Sequence, residues 1–215
     1  MGLIDTAIIL AGGNSKRMGF DKQFISMGDM SITEYIIIAL KPLFSNVILV
    51  TNKPQAYDMG DVEIAEDLYR GYGPLGGIHA GLTKSQSQYN YIIACDMPYI
   101  NKDYIQYMTK ILIDSEYKAE AVITKFGDWI EPFNAFYSKA LIPKIEASIF
   151  MDKKKISGLL NMSEVLYVEE NIARSFSPDW SMFMNLNTEK DLMSLRASKQ
   201  EGLYGIHQRD TANKI

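Results

Sequence analysis

Three cations, Lys16, Arg17 and Lys22, follow a pair of glycines in the run Leu10-Ala-Gly-Gly-Asn-Ser-Lys-Arg-Met-Gly-Phe-Asp-Lys22. Phosphate is the chemistry they suit. Gly12 and Gly13 have no Cβ, so their N–H groups can approach an anion closely or take a positive φ. The cations can then offset the charge of a triphosphate. The loop is not of the Walker A kind, which needs a second glycine five residues after the first, then Lys and Ser or Thr. Here Arg17 and Met18 stand five residues beyond Gly12 and Gly13. Switch chemistry of the ATPase or GTPase kind is unsupported.

Asp96 is the most informative carboxylate. It follows the apolar run Tyr91-Ile-Ile-Ala-Cys95 and precedes Met97-Pro98. At the carboxyl edge of a strand, such a group can share a Mg²⁺ ion with phosphate oxygens. Glu66-Asp67 ends another strand-like run in the same way and can hydrogen-bond a nucleoside. Gly71-Tyr-Gly-Pro-Leu-Gly76 satisfies G-x-G-x-x-G, with Asp96 20 residues further on, which imitates a dinucleotide fingerprint. Its first glycine comes six residues after the strand end at Ala65, and Pro74 is expected to fix φ inside the turn. An NAD(P)-binding dehydrogenase is therefore a minor alternative. Cys95 is expected to pack beneath the edge, having no adjacent histidine to activate it. His79 is read as a packing or surface residue on a helix, and Lys153-Lys-Lys155 as a solvated helix start.

The elements that must hold these residues alternate. Strands are expected at 6–10, 47–51, 61–65, 91–95 and 119–124, several of them apolar at consecutive positions, as in strands covered on both faces. Helices suit 31–43, 76–84 and 102–114; Ser31 with Glu34 forms a capping box, and Asn101 can cap the third. This alternation implies right-handed βαβ crossovers and a mainly parallel sheet, whose ligands lie at the carboxyl ends of the strands. Beyond residue 125 the rhythm changes. A turn at 126–129 and a strand at 132–137 precede helices at 139–149 and 153–161, a strand at 165–168 and a helix at 188–198. A single domain over 1–201 is expected, with a nucleotide part to about 125, an acceptor part from 126, and a polar flexible tail over 202–215.

Composition narrows the classes further. Of 215 residues, 47% are hydrophobic and the net charge is −4, which excludes wholesale disorder and argues against nucleic acid or a polybasic membrane anchor. One cysteine and two histidines, His79 and His207, exclude a disulfide framework and a Cys-rich zinc site. The longest aliphatic run is five residues, far below the ~20 that span a bilayer. With no basic leader in the opening residues, a cytoplasmic location is expected.

Taken together, these motifs closely resemble the molybdenum cofactor guanylyltransferases of the MobA type. The run 10–22 resembles that family's signature loop. Glu66-Asp67, Gly73-Pro-Leu-Gly-Gly-Ile-His-Ala-Gly-Leu82, Cys95-Asp-Met-Pro98 and Asn185-Leu-Asn-Thr188 match its later blocks in order. Two departures stand out. Val50-Thr-Asn52 lacks the first asparagine of an Asn-x-Asn, and Glu189 replaces a proline.

The resemblance implies a three-layer, Rossmann-like nucleotidyltransferase fold. It also implies transfer of GMP from Mg·GTP to the terminal phosphate of molybdopterin, with release of pyrophosphate. Leu10, Ala11, Gly12, Gly13, Lys22, Asp67 and Asp96 would bind GTP, and Asp96 would hold Mg²⁺. Arg17 and Lys22 would stabilise charge on the phosphates, while Asn185 and Asn187 would meet the pterin. Other cofactor-biosynthesis proteins and recipient molybdoenzymes would be transient partners. The alternatives are a molybdopterin cytidylyltransferase, a sugar-phosphate nucleotidyltransferase, and a carrier that binds nucleotide or pterin without catalysis.

Overall fold

Thr6–Leu10, five residues with no polar alternation, forms β1, and all five are buried. Its side chains alternate between two apolar clusters: Ala7 and Ile9 enter one, Ile8 and Leu10 the other. A strand buried on both faces needs helices on both sides. The computed structural model describes residues 2–11, 26–27, 30–57, 60, 62–187, 191, 193 and 195.

Along the chain, β1 is followed by a short hairpin, β2 (Ser26–Met27) and β3 (Met30–Ser31), and by α1 (Ile32–Leu40). Next come β4 (Asn46–Val50), β5 (Glu63–Ala65), α2 (Pro74–Lys84), β6 (Tyr89–Ala94) and α3 (Lys102–Asp114). The later part comprises β7 (Ala121–Phe126), β8 (Trp129–Ser138), α4 (Ile142–Phe150), α5 (Ile156–Leu160), β9 (Val165–Glu169) and α6 (Glu170–Phe176). Seven strands form one sheet in the order β5-β4-β1-β6-β8-β7-β9. The strands β5, β4, β1 and β6 run parallel, β8 is antiparallel to β6 and β7, and β9 is parallel to β7. Buried residues of α1, α3 and α6 cover one face, and those of α2, α4 and α5 cover the other. The result is the expected three-layer, mostly parallel α/β architecture.

The predicted caps form. The Ser31 hydroxyl accepts from the Glu34 N–H at 3.2 Å, the Glu34 carboxylate accepts from the Ser31 N–H at 2.5 Å, and Asn101 Oδ1 accepts from the Tyr104 N–H at 2.9 Å. Several boundaries are corrected. Pro74 does not sit inside a turn; it opens α2 directly behind its N-cap, Gly73, which has a φ of 55°. The first helical position needs no N–H, so proline fits there. The expected helix over 139–149 starts as a 3-10 turn at Lys139–Leu141, and that over 153–161 shrinks to α5, with Lys153 to Lys155 exposed ahead of it. The α6 helix was not anticipated. Gly12, Gly13, Lys16, Arg17, Lys22, Thr188, His207 and the segment 202–215 lie outside the described residues. Of the expected helix over 188–198, only Asp191, Met193 and Leu195 are described, all helical.

Candidate functional site

Strand order reverses at β1, because β4 lies on one side of it and β6 on the other. Open α/β sheets bind ligands outside such a reversal. Ladder bonds run past the strand ends there: Ala11 N–H donates to Val50 O (2.8 Å), Cys95 N–H to Leu10 O (3.0 Å) and Thr51 N–H to Ala65 O (3.0 Å). The carboxyl ends of β5, β4, β1 and β6 are thus kept level.

A recess opens at this edge, lined by Leu10, Val50, Thr51, Asn52, Asp67, Gly73, Pro74 and Gly77. Two glycines of α2 make room for it. A Cβ at Gly76 would stand 2.5 Å from Asp67 Oδ1, and one at Gly77 would stand 3.4 Å from the Leu10 side chain. The Asp67 carboxylate therefore lies against the first turn of α2, where it also accepts the Tyr69 N–H at 2.8 Å. Burial raises its pKa above the usual carboxylate value. The Tyr69 N–H and the charges of His79 and Arg70 pull in the opposite direction. Glu66, its neighbour, is exposed and pairs with Arg70 at 3.7 Å.

Asp96 occupies the turn directly after β6, closed by Met97 N–H to Ala94 O at 3.1 Å. Between β5 and β6 lie three strand spacings of about 4.8 Å, roughly 14 Å in all, a span suited to a nucleoside with its phosphates. On the far side, the Leu186 N–H donates to the Asp96 carbonyl at 2.8 Å. Leu186 is buried, while Asn185 and Asn187 on either side of it are exposed. Asn187 also shapes its own turn: its amide donates to Asn185 O at 3.3 Å, and its backbone N–H donates to the Asp191 carboxylate at 2.9 Å.

Of the expected site residues, Leu10, Ala11, Asp67, Asp96, Asn185 and Asn187 lie along this edge. Of these, Leu10 and Asp67 line the recess, together with Asn52. Cys95 is half-buried against the core, as anticipated. His79 is buried, 4% exposed, with Nε2 3.1 Å from Glu146 Oε1 and its ring edge-on to Tyr69.

Sequence reasoning missed Glu131. It stands in β8 opposite Thr124 and accepts the Phe133 N–H at 3.1 Å. Burial lifts its carboxyl to about 7, the Phe133 N–H pulls it down, and the negative charge of Asp96 adds a smaller push upward. A lone Glu in a half-polar strand carries no local signal of that neighbourhood. Only the antiparallel return of β8 creates it.

Among the described residues, no group of three or more His, Cys, Asp or Glu is arranged to hold a metal. Mg²⁺ commonly takes only one or two carboxylates, completing its shell with water and substrate phosphates. The donor set at Asp96 fits that habit. No helix among the described residues is long and apolar enough to cross a membrane.

Residues 7–165 match the model of the MobA-like NTP transferase domain. The chain is 47% identical over 203 residues to a probable molybdenum cofactor guanylyltransferase of Peptoclostridium acidaminophilum, covering 93% of this chain and 91% of that one. It is also 47% identical over 191 residues to a molybdenum cofactor guanylyltransferase of Syntrophotalea carbinolica, covering 89% and 90%. Among solved structures, it resembles molybdopterin-guanine dinucleotide biosynthesis protein A from Archaeoglobus fulgidus. That match has a TM-score of 0.75 and 25% identity, over 91% of this chain and 99% of that one. With a recess at the strand reversal and these similarities along most of its length, the chain belongs to the MobA-like NTP transferase family of nucleotidyltransferases.

Proposed function

We propose that the protein transfers GMP from GTP to the terminal phosphate of molybdopterin, giving the guanine dinucleotide and pyrophosphate. One observation carries this reading: the Asp67 recess, Asp96 and the Asn185–Asn187 segment share a single sheet edge. Asp67 accepts hydrogen bonds from the base, and Leu10 and Ala11 border the nucleotide. Asn185 and Asn187 present amides to the pterin, whose edge alternates donors and acceptors. The names of the relatives support this choice of substrates.

An oxygen of the acceptor phosphate attacks the α-phosphorus of GTP, and the bond to the bridging oxygen breaks with its electron pair leaving on pyrophosphate. The attacking phosphate is already ionised at neutral pH, so no general base is required. Positioning and charge neutralisation carry such a transfer. Arg17, Lys22 and the Gly12–Gly13 amides supply positive charge and donors to the phosphates. Asp96 would hold Mg²⁺, which when bound neutralises phosphate charge and aligns the in-line attack. We assign residues 1–201 to one catalytic domain acting in the cytoplasm, as expected from the sequence.

A thermal-shift panel tests the reading. GTP with Mg²⁺ should stabilise the protein more than CTP, ATP or NADH does. At about 100 times its Kd it should add roughly 2.7 kcal/mol. Equal or greater stabilisation by CTP would move the protein to cytidylyl transfer, and by NADH to dinucleotide binding around Gly71 to Gly76.

A further inference from the structure

β8 is irregular where it passes the site. Val122 and Thr124, two apart on β7, face Phe136 and Glu131, which are five apart on β8. Inside this bulge Asn134 takes a φ of 52° and is only 2% exposed. Asparagine tolerates that left-handed conformation better than most residues. Both ends of its amide are used, and on different elements. Its Oδ1 accepts from the Tyr91 hydroxyl at 2.7 Å, and its Nδ2 donates to the Met182 carbonyl at 3.2 Å.

These bonds close a ring. Tyr91, fully buried on β6, reaches Asn134; Asn134 reaches Met182; and four residues later the Leu186 N–H reaches the Asp96 carbonyl, five residues beyond Tyr91. The segment between is braced within itself. Ser181 donates from both its N–H (3.1 Å) and its hydroxyl (2.8 Å) to Asp179 Oδ1, and the Met182 N–H donates to Ser177 Oγ at 3.3 Å. Met182, Phe183 and Leu186 are buried in the core on that side. Apolar burial is non-directional and would permit the segment to slide across the end of β6. The Asn134 amide is directional and buried, so it selects one placement.

We propose that Asn134 is a positioning residue, clamping residues 181–187 so that the acceptor-binding asparagines stand in register with Asp96. The proposal rests on the assignment of Asn185 and Asn187 to the acceptor. Asn134 reaches the acceptor only through Met182 and the segment that follows it.

Two variants of the full chain test it: Asn134→Asp, which keeps shape and φ but places a carboxylate against the Met182 carbonyl, and Asn134→Gly, which keeps φ and deletes the amide. Tyr91→Phe, which leaves Oδ1 without its donor, serves if either fails to fold. Guanylyl transfer is measured against acceptor concentration, GTP affinity by titration, and exchange of the Leu186 amide by hydrogen exchange. The KM for acceptor should rise about tenfold, the scale of one lost hydrogen bond. The Kd for GTP should stay within twofold, and exchange at Leu186 should quicken about tenfold. A KM for acceptor within twofold of wild type, a GTP affinity that falls in step with it, or unchanged exchange at Leu186 overturns the clamp. Wild-type protein that releases no pyrophosphate from GTP and acceptor overturns the functional reading instead. In that event, exchange at Leu186 alone decides whether Asn134 fixes the segment.

Discussion

The Leu186 N–H donates to the carbonyl of Asp96, so the loop bearing the two asparagines is tied to the residue assigned to the metal. Under the proposed reading, donor and acceptor determinants meet at this one backbone hydrogen bond, which uses the main chain of Asp96.

Asp96→Asn should therefore leave the fold intact and reduce guanylyl transfer by about 100-fold or more, the scale for removing one electrostatic stabiliser of a transition state. Steady-state rates with a melting curve check this. Near-wild-type turnover would remove Asp96 from the metal-binding role.

Gly76→Ala and Gly81→Ala separate recess from core. Each new Cβ would stand 2.5 Å from a neighbour, Asp67 Oδ1 in the first case and Ile8 Cγ2 in the second. Both should lose about 1–3 kcal/mol of stability through overpacking. Only Gly76→Ala should also weaken GTP binding, because it displaces the carboxylate of the recess. Denaturant unfolding and GTP titration of the pair would show whether the two effects separate.

Glu131 gives the protein a pH dependence. Its carboxyl rises from 4.5 to about 7 on folding, so between those values the folded state binds more protons than the unfolded one. Stability then falls as pH rises through that window and levels off above it. The loss is on the order of 3 kcal/mol, at about 1.4 kcal/mol per pKa unit. Glu131→Gln should flatten this part of the profile and raise stability above pH 7. Unfolding curves from pH 4 to 8 without added metal would reveal it; an unchanged slope in the variant would assign the dependence elsewhere.

Asn185→Ala and Asn187→Ala should weaken acceptor binding by up to about tenfold each, at roughly 0.5–1.5 kcal/mol per hydrogen bond, with GTP affinity nearly unchanged. Asn187→Ala should also lower stability slightly, since its amide bonds the Asn185 carbonyl. Titration of both ligands against each variant tests the assignment. A fall in GTP affinity alone would reverse it.

Much of this edge is legible in the sequence because its signals are local. Unbroken apolar runs announce β1, β4 and β6; Ser31 and Asn101 announce their helices; Asp67 and Asp96 follow strand ends. What escaped is non-local or weakly patterned. The α6 helix buries only Ala173, and its N-cap, Glu169, makes no side-chain cap, so neither periodicity nor a start signal marks it. The roles of Glu131 and Asn134 depend on the antiparallel return of β8 and its bulge. A Tyr91–Asn134–Met182 relay has no trace in residue spacing.

Position along the chain adds a consequence for how such an enzyme can diversify. Every residue lining the recess lies at or before Gly77, whereas Asn134 and the Met182 carbonyl that it holds, the part of the clamp proposed to set the acceptor loop, lie beyond Glu131, with Tyr91 of β6 bracing Asn134 from the middle of the chain. Under the proposed reading, substitutions in the first stretch alter which nucleotide is given, and those in the second alter what receives it. Asp96, between them in sequence and in space, serves both. Donor and acceptor preference can therefore drift separately while the reacting centre stays fixed.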